Sequence, residues 1–105
     1  MNGKKFNVET TQEGNQLTVF LQGELDLAAA SEFRSFMEPL ANDGEVSLIL
    51  DLSKLTYIDS TGIGILISIL KARSEMNAPL QVVHIPAQVQ KLFDMIGISK
   101  FLASN

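Results

Sequence analysis

The segment Thr56 to Leu66, TYIDSTGIGIL, places a carboxylate, two hydroxyls and two glycines between two apolar runs. It contains the one Asp-Ser pair of the chain, Asp59 and Ser60. A serine in such a place can act as a nucleophile, belong to a phosphate-binding loop, cap a helix or offer an exposed hydroxyl to another molecule. Each role requires different neighbours, so the surrounding residues discriminate between them.

The enzymatic roles lack the neighbours that they need. Nucleophilic catalysis by Ser60 requires a base, and the one histidine, His84, lies in the apolar run LQVVHI. The G-x-S-x-G elbow of serine hydrolases is absent around Ser60, and an extra residue in DSTG interrupts the Asp-Thr/Ser-Gly triplet of aspartic proteases. The GIG tripeptide also lacks the third glycine and the lysine of phosphate-binding loops. The sequence therefore predicts a protein that is not an enzyme, with His84 in a structural role.

Two interpretations of the hydroxyls remain open from the residues alone. In the first, Ser60 or Thr61 is simply the N-cap of the helix that follows. In the second, Ser60 is an exposed, reachable hydroxyl at the end of a strand, where the unpaired N–H groups and the positive dipole end of the helix favour an anion. Gly62 and Gly64 remove side-chain bulk beside this turn, which lets another backbone or a ligand approach closely.

Composition limits the class of protein and its partners. A chain of 105 residues with 46% apolar and 19% charged residues predicts one folded domain. The absence of cysteine excludes disulfides and thiolate metal sites, and we expect neither a metal nor a cofactor. The net charge is -4 and the basic residues are scattered, which argues against nucleic acid as a partner. No apolar stretch is long enough for a leader or a membrane span, so we expect a cytoplasmic protein without a membrane partner that binds other proteins.

Hydrophobic periodicity predicts four strands and three helices. The predicted order is β-β-α-β-α-β-α, which indicates a small α/β domain with a mixed sheet and helices packed mainly on one face. Asp26 or Ser31 is expected to cap the first helix, and Lys71 and Arg73 suit the C-terminal dipole end of the second. The predicted elements are a hairpin of KFNVETT and NQLTVFLQG joined at QEGN, a helix at Leu27 to Leu40, a strand at EVSLILDLS, a helix at Thr61 to Met76, a strand at LQVVHI and a helix at AQVQKLFDMIG.

Three collinear motifs give the sequence a resemblance to a known family. LQGELDLAAASEFR, LILDLSKLTYIDSTGIGIL and PAQVQKLFDMIGISKFL together resemble the STAS domain, and in particular the bacterial anti-sigma factor antagonists. The most specific parts are GELD, Gly23 to Asp26, and IDSTGIG, Ile58 to Gly64. The resemblance covers nearly the whole chain, so residues 1–105 are expected to form one STAS domain.

The resemblance implies a partner-switching mechanism. Ser60 matches the phosphorylated serine of that family, with Thr61 as a second candidate. The implied partners are an anti-sigma factor that is also a serine kinase of the GHKL ATPase type, and a PP2C-type phosphatase. The unphosphorylated protein would bind the anti-sigma factor and release the sigma factor, and phosphorylation would end that binding. The alternative is a non-switching STAS scaffold or interaction module of a stress-sensing complex.

The roles of the neighbouring residues follow less directly. Asp26 either caps the first helix or orients the serine or the partner's nucleotide, and Asp59 either stabilises the turn or takes part in recognition. If the second and third strands pair in parallel, Asp26 and Ser60 share one surface. One face of the helix after Ser60, including Ile65 or Ser68, is expected to contact the kinase. The predicted partner-binding residues are Glu24, Asp26, Asp59, Ser60, Thr61, Gly62, Ile63 and Gly64.

Overall fold

The computed structural model describes residues 5–78 and 80–97, and the predicted order of elements is confirmed. The first helix extends one residue beyond its predicted end, the second begins and ends one residue earlier than predicted, and the third strand extends five residues beyond its predicted end. The ISKFL part of the third motif and Pro79 lie outside the described residues. The elements are β1 (Phe6–Glu13), β2 (Gln16–Leu25), α1 (Leu27–Ala41), β3 (Ser47–Ile58), α2 (Ser60–Glu75), β4 (Leu80–Val83) and α3 (Ala87–Ile96).

The sheet is mixed and its strands follow chain order, β1-β2-β3-β4. The first two strands form the predicted antiparallel hairpin around a turn at Gly14, whose φ is +59°. β2 pairs with β3 in parallel, and β3 pairs with β4 in parallel. No helix within residues 5–78 and 80–97 has both the length and the apolar character needed to cross a membrane.

One hydrophobic core lies between one face of the sheet and the helices. Residues that alternate along β2 and β3 belong to the same buried cluster as residues of all three helices. On the other face of these strands, Thr18, Phe20 and Ile49 stay partly exposed. The predicted α/β class, with helices mainly on one face, is confirmed. The core residues of the two central strands are Leu17, Val19, Leu21, Leu25, Leu48, Leu50, Leu52, Leu55 and Ile58.

The pairing of β2 with β3 contains two irregularities that keep the strand ends level. The pairing begins with Gln16 opposite Ser47 and ends with Leu25 opposite Ile58, although β2 has 10 residues and β3 has 12. Register shifts between Phe20 and Gln22 and between Gly23 and Glu24 account for the difference. Such bulges add a residue to one strand without ending the ladder. As a result, both strands leave the sheet at the same edge.

Gly23, the first residue of GELD, is required by the backbone at the second of these shifts. Its φ is +91°, in the left-handed region that favours glycine, and a Cβ atom there would lie 1.9 Å from the carbonyl oxygen of Lys5. That oxygen accepts a hydrogen bond from the N–H of Glu24 at 2.8 Å. The glycine therefore permits β1 to approach the irregular end of β2.

Arg73 has a different role from the predicted one. It lies in the last turn of α2, but its buried guanidinium donates hydrogen bonds to the carbonyl oxygens of Leu40, Asp43 and Val46. Burial lowers the pKa of the guanidinium, while the nearby charge of Asp43 acts in the opposite direction. Arg73 therefore joins α2 to the C-terminal end of α1 and to the loop that leads into β3.

His84 lies one residue beyond β4, so its predicted position inside a strand is wrong. Its φ is +56°, a left-handed conformation in which histidine is more common than most residues with a Cβ. Its Nδ1 atom lies 2.9 Å from Oδ2 of the buried Asp51 in β3. Burial alone would raise the pKa of Asp51, but hydrogen bonds from Ser53 and His84 outweigh it and lower that pKa. The pair links the end of β4 to the middle of β3.

Candidate functional site at the ends of two parallel strands

Asp59, the residue directly after β3, holds the N-termini of two helices. Its Oδ1 atom accepts hydrogen bonds from the N–H groups of Thr61, at 3.0 Å, and Gly62, at 3.3 Å, and so caps α2. Its Oδ2 atom accepts a hydrogen bond from the N–H of Leu27 at 3.1 Å, in the first turn of α1. The prediction that Ser60 or Thr61 is the N-cap is therefore wrong, because the carboxylate one residue earlier takes that position.

Asp26 occupies the equivalent position after β2. It is the N-cap of α1, and its Oδ1 atom accepts a hydrogen bond from the N–H of Ala29 at 3.0 Å. Ser31, the alternative cap, lies inside the helix. Since Leu25 and Ile58 are paired in register, Asp26 and Asp59 emerge side by side at one edge of the sheet. The predicted parallel pairing and the shared edge are confirmed.

Ser60 is the first residue of α2, and its side chain is exposed. Its hydroxyl makes no hydrogen bond with any residue of the two described ranges. The adjoining helix has 16 residues, and its N-terminal dipole end stabilises negative charge. Because Asp59 already caps the helix, the Ser60 hydroxyl remains available to a molecule that approaches from outside.

The two glycines that follow Ser60 have different roles. A Cβ atom on Gly62 would lie 2.8 Å from Cγ of Leu25 and 3.0 Å from its carbonyl oxygen. Gly62 is therefore needed for α2 to pack closely on the end of β2. Gly64 is exposed, and a Cβ atom there would meet nothing within 4 Å among the residues of the described structure. Internal packing gives no reason for a glycine at position 64.

The remaining predicted site residues divide between this edge and the core. Glu24 is half-buried and lies opposite Tyr57 in the sheet, close to the two capping carboxylates. Thr61 is half-buried, and Ile63 is buried in the core. Further along α2, Ile65 is also buried, whereas Ser68 is exposed and donates a hydrogen bond to the carbonyl oxygen of Gly64 at 3.0 Å. The exposed face of α2 near the turn therefore consists of Ser60, Gly64 and Ser68.

Two exposed apolar side chains at this edge were not predicted. Leu27, at the start of α1, is 73% exposed, and Tyr57, near the end of β3, is 49% exposed. Leu27 precedes the buried Ala30 by three residues, which is the spacing of a single helix face. Periodicity alone would place Leu27 in the core, so the sequence carries no signal for its exposure.

The sequence and the fold are those of a known class of domain. Residues 8–103 match the family model described as "Mlab, STAS domain". The chain belongs to the STAS domain family, and the resemblance seen in the sequence is confirmed.

Particular relatives within the family are similar over most of the chain. The anti-sigma-B factor antagonist of Staphylococcus aureus strain NCTC 8325 is 28% identical over 99 residues, which cover 94% of this chain and 92% of the relative. An anti-sigma factor antagonist from Mycobacterium paratuberculosis has a similar crystal structure, with a TM-score of 0.83, 18% identity, and coverage of 93% of this chain and 83% of that one. The anti-sigma factor antagonist SpoIIAA in its unphosphorylated form gives a TM-score of 0.77 at 20% identity, covering 90% of this chain and 84% of that one.

Proposed function

We propose that this protein is an anti-sigma factor antagonist that is switched by phosphorylation of Ser60. In its unphosphorylated form it binds an anti-sigma factor and thereby releases the sigma factor. The anti-sigma factor is a serine kinase of the GHKL ATPase type, whose phosphorylation of Ser60 ends the binding. A PP2C-type phosphatase restores the active form, and all of these steps take place in the cytoplasm. The protein is thus the substrate of the chemistry and not itself an enzyme.

The observation that carries this proposal is the state of the Ser60 hydroxyl. It is exposed, it forms no hydrogen bond within the described residues, and it lies at the N-terminus of a long helix. Thr61, the second candidate, is half-buried and therefore less accessible to a kinase. The name of the Staphylococcus aureus relative supports the regulatory role, and SpoIIAA has also been solved in a phosphorylated form.

A phosphate on Ser60 is compatible with the fold. It would add about 1.5 to 2 negative charges at a helix N-terminus, where the dipole and the N–H groups favour an anion. None of the three hydrogen bonds that Asp59 accepts involves the Ser60 hydroxyl. Phosphorylation is therefore expected to leave the fold intact and to act on the surface that the partner contacts.

The charges around Ser60 explain how the phosphate would weaken binding. Asp26 and Asp59 lie at the same edge, and Glu24 lies two residues before Asp26 in β2. A dianion added to these carboxylates makes the edge strongly negative. Because the kinase must bring the phosphates of its nucleotide to Ser60, a phosphate already on Ser60 would face like charges there, which costs several kcal/mol at an interface.

The one histidine of the sequence, His84, is not placed to activate Ser60. His84 binds Asp51, which lies eight residues before Asp59 in β3. β4 pairs with the first part of β3, from Leu48 to Asp51, and so ends before the edge that carries Ser60. We therefore assign the phosphoryl transfer to the partner kinase.

The first test is phosphorylation by the cognate kinase. We expect the wild-type protein to gain one phosphate group when it is incubated with the kinase and ATP, and the Ser60→Ala variant to gain none. Intact-mass spectrometry measures the gain. Ser68→Ala is the matched control, because Ser68 is an exposed serine two turns further along the same helix, and it should be phosphorylated like the wild type. Full phosphorylation of Ser60→Ala would remove Ser60 from this role.

A second test uses the glycine that internal packing does not require. Gly64→Ala should raise the free energy of unfolding by up to about 1 kcal/mol, because glycine in a helix interior is unfavourable by about that amount. The same variant should bind the kinase more weakly, since the new methyl group projects from the proposed contact surface. Thermal unfolding and a binding titration measure the two effects.

Gly62→Ala is the control for this test. Its Cβ atom would collide with Leu25, so it should lower stability where Gly64→Ala raises it. A Gly64→Ala protein with raised stability and wild-type affinity would show that the partner does not contact position 64.

A further inference from the structure

Leu27 is an exposed apolar side chain beside the proposed phosphorylation site. Leu27 and Ser60 are each the first residue of a helix, and each lies two residues beyond the paired strand ends Leu25 and Ile58. The two helices therefore begin at the same edge. Tyr57, which is 49% exposed, lies in β3 three residues before Ser60. Leu27 and Tyr57 are thus exposed apolar residues within two positions of the paired strand ends.

The position of Leu27 is fixed by the same carboxylate that caps α2. Its N–H donates to Oδ2 of Asp59, while Oδ1 of Asp59 accepts from Thr61 and Gly62. The backbone of Leu27 is therefore tied to the Ser60 turn rather than to α1 alone. A backbone held in this way loses little conformational freedom when a partner covers the Leu27 side chain.

The surroundings of Leu27 indicate the chemistry of that partner. Asp26 and Asp59 lie beside it, and Glu24 lies three residues before it in the chain. The carboxylates of Asp26 and Asp59 therefore lie beside the Leu27 side chain, which is 73% exposed to solvent. The complementary surface is an apolar pocket bordered by cationic side chains, because opposite charges around a buried apolar centre favour association.

We propose that Leu27, assisted by Tyr57, is the apolar anchor that the anti-sigma factor kinase binds when it engages Ser60. This inference rests on the proposed function and adds the contact that supplies much of the affinity. Burial of a leucine side chain at an interface contributes affinity because it removes apolar surface from water, and tyrosine is enriched among the residues that dominate binding energy. The anchor positions the protein on the kinase but does not touch the reacting hydroxyl.

The test compares variants in a binding titration with the kinase and in a phosphorylation assay. Leu27→Ala is expected to weaken binding at least about tenfold, equivalent to about 1.4 kcal/mol, and to raise the KM for phosphorylation while the maximal rate stays near wild type. Its melting temperature should not change, because Leu27 is largely exposed and alanine favours helix. Leu27→Met should keep most of the affinity, and Tyr57→Ala should lose about threefold or more.

Met76→Ala is the matched control. Met76 is 37% exposed, but it caps the C-terminal end of α2, at the far end of the helix that begins with Ser60. The affinity of the Met76→Ala variant for the kinase should stay within about twofold of wild type. Wild-type affinity in Leu27→Ala, with normal phosphorylation of the wild-type protein, would overturn the anchor and leave the proposed function standing. A wild-type protein that neither binds the kinase nor is phosphorylated would overturn the proposed function and the anchor together.

Discussion

The protein phosphorylated on Ser60 is expected to bind the anti-sigma factor kinase at least about a hundredfold more weakly than the unphosphorylated protein. The added dianion would face the phosphates of the nucleotide that the kinase brings to Ser60, and like charges at an interface cost several kcal/mol, where about 1.4 kcal/mol is tenfold in affinity. The melting temperature should stay within a few degrees, since the helix N-terminus tolerates an anion. Calorimetric titration of the two forms, each verified by intact mass, measures the difference in affinity.

A charge placed elsewhere on the same helix provides the control for this experiment. Ser60→Asp should reproduce part of the loss, because it adds one negative charge at the site. Ser74→Asp adds the same charge near the C-terminal end of α2, about 20 Å away by the rise of a helix, and should leave the affinity close to wild type. If the phosphorylated protein were unfolded, the switch would be an order-to-disorder transition instead of a change in surface charge.

Gly23→Ala is expected to lower the free energy of unfolding by about 3 kcal/mol or more. The substitution forces a side chain into a left-handed conformation and places its Cβ atom 1.9 Å from the carbonyl oxygen of Lys5, so β1 must move away. For a domain of this size the loss corresponds to a melting temperature lower by about 12 °C or more. Thermal and denaturant unfolding monitored by circular dichroism measure the change.

Gly14→Ala separates the two causes of that loss. Gly14 also has a positive φ, +59°, but a Cβ atom there would meet nothing within 4 Å among the described residues. Its substitution should cost about 1 kcal/mol, which is the conformational part alone. Equal losses in the two variants would mean that the contact with Lys5 is easily relieved and that GELD does not need its glycine for packing.

Local patterns were sufficient to predict the elements of this fold. Phe33 and Met37 lie one helical turn apart and are both buried, as expected for the predicted helix at Leu27 to Leu40, and the positive-φ Gly97 ends α3 at the end of the predicted helix AQVQKLFDMIG. The strand-to-helix turn at Ser60 followed from an apolar run, a polar turn and a second apolar run. These features depend on residues near one another in the chain, so periodicity and capping preferences describe them well.

Features that depend on the register in which strands pair could not be predicted from such local patterns. The hydrogen bond from Leu27 to Asp59 joins residues 32 positions apart, and it exists because two bulges bring the strand ends level. The three carbonyl partners of Arg73 likewise come from a neighbouring helix and loop. The choice of Asp59 over Ser60 as N-cap was a competition between adjacent capping residues of similar preference, which propensity cannot decide.

The two extra residues of β3 also constrain how this protein can change in length. A strand advances about 3.3 Å per residue. If β2 and β3 paired without bulges, Asp59 would lie two residues, or about 6.6 Å, beyond Asp26 along the strand direction. Deleting one residue between Asp51 and Tyr57 would move the Asp59 carboxylate away from the Leu27 N–H and reverse the faces of the following side chains. We therefore expect insertions and deletions to be tolerated in the hairpin around Gly14 but not between Asp51 and Tyr57, because the number of residues from Asp51 to Ser60 fixes the position of the proposed phosphorylation site.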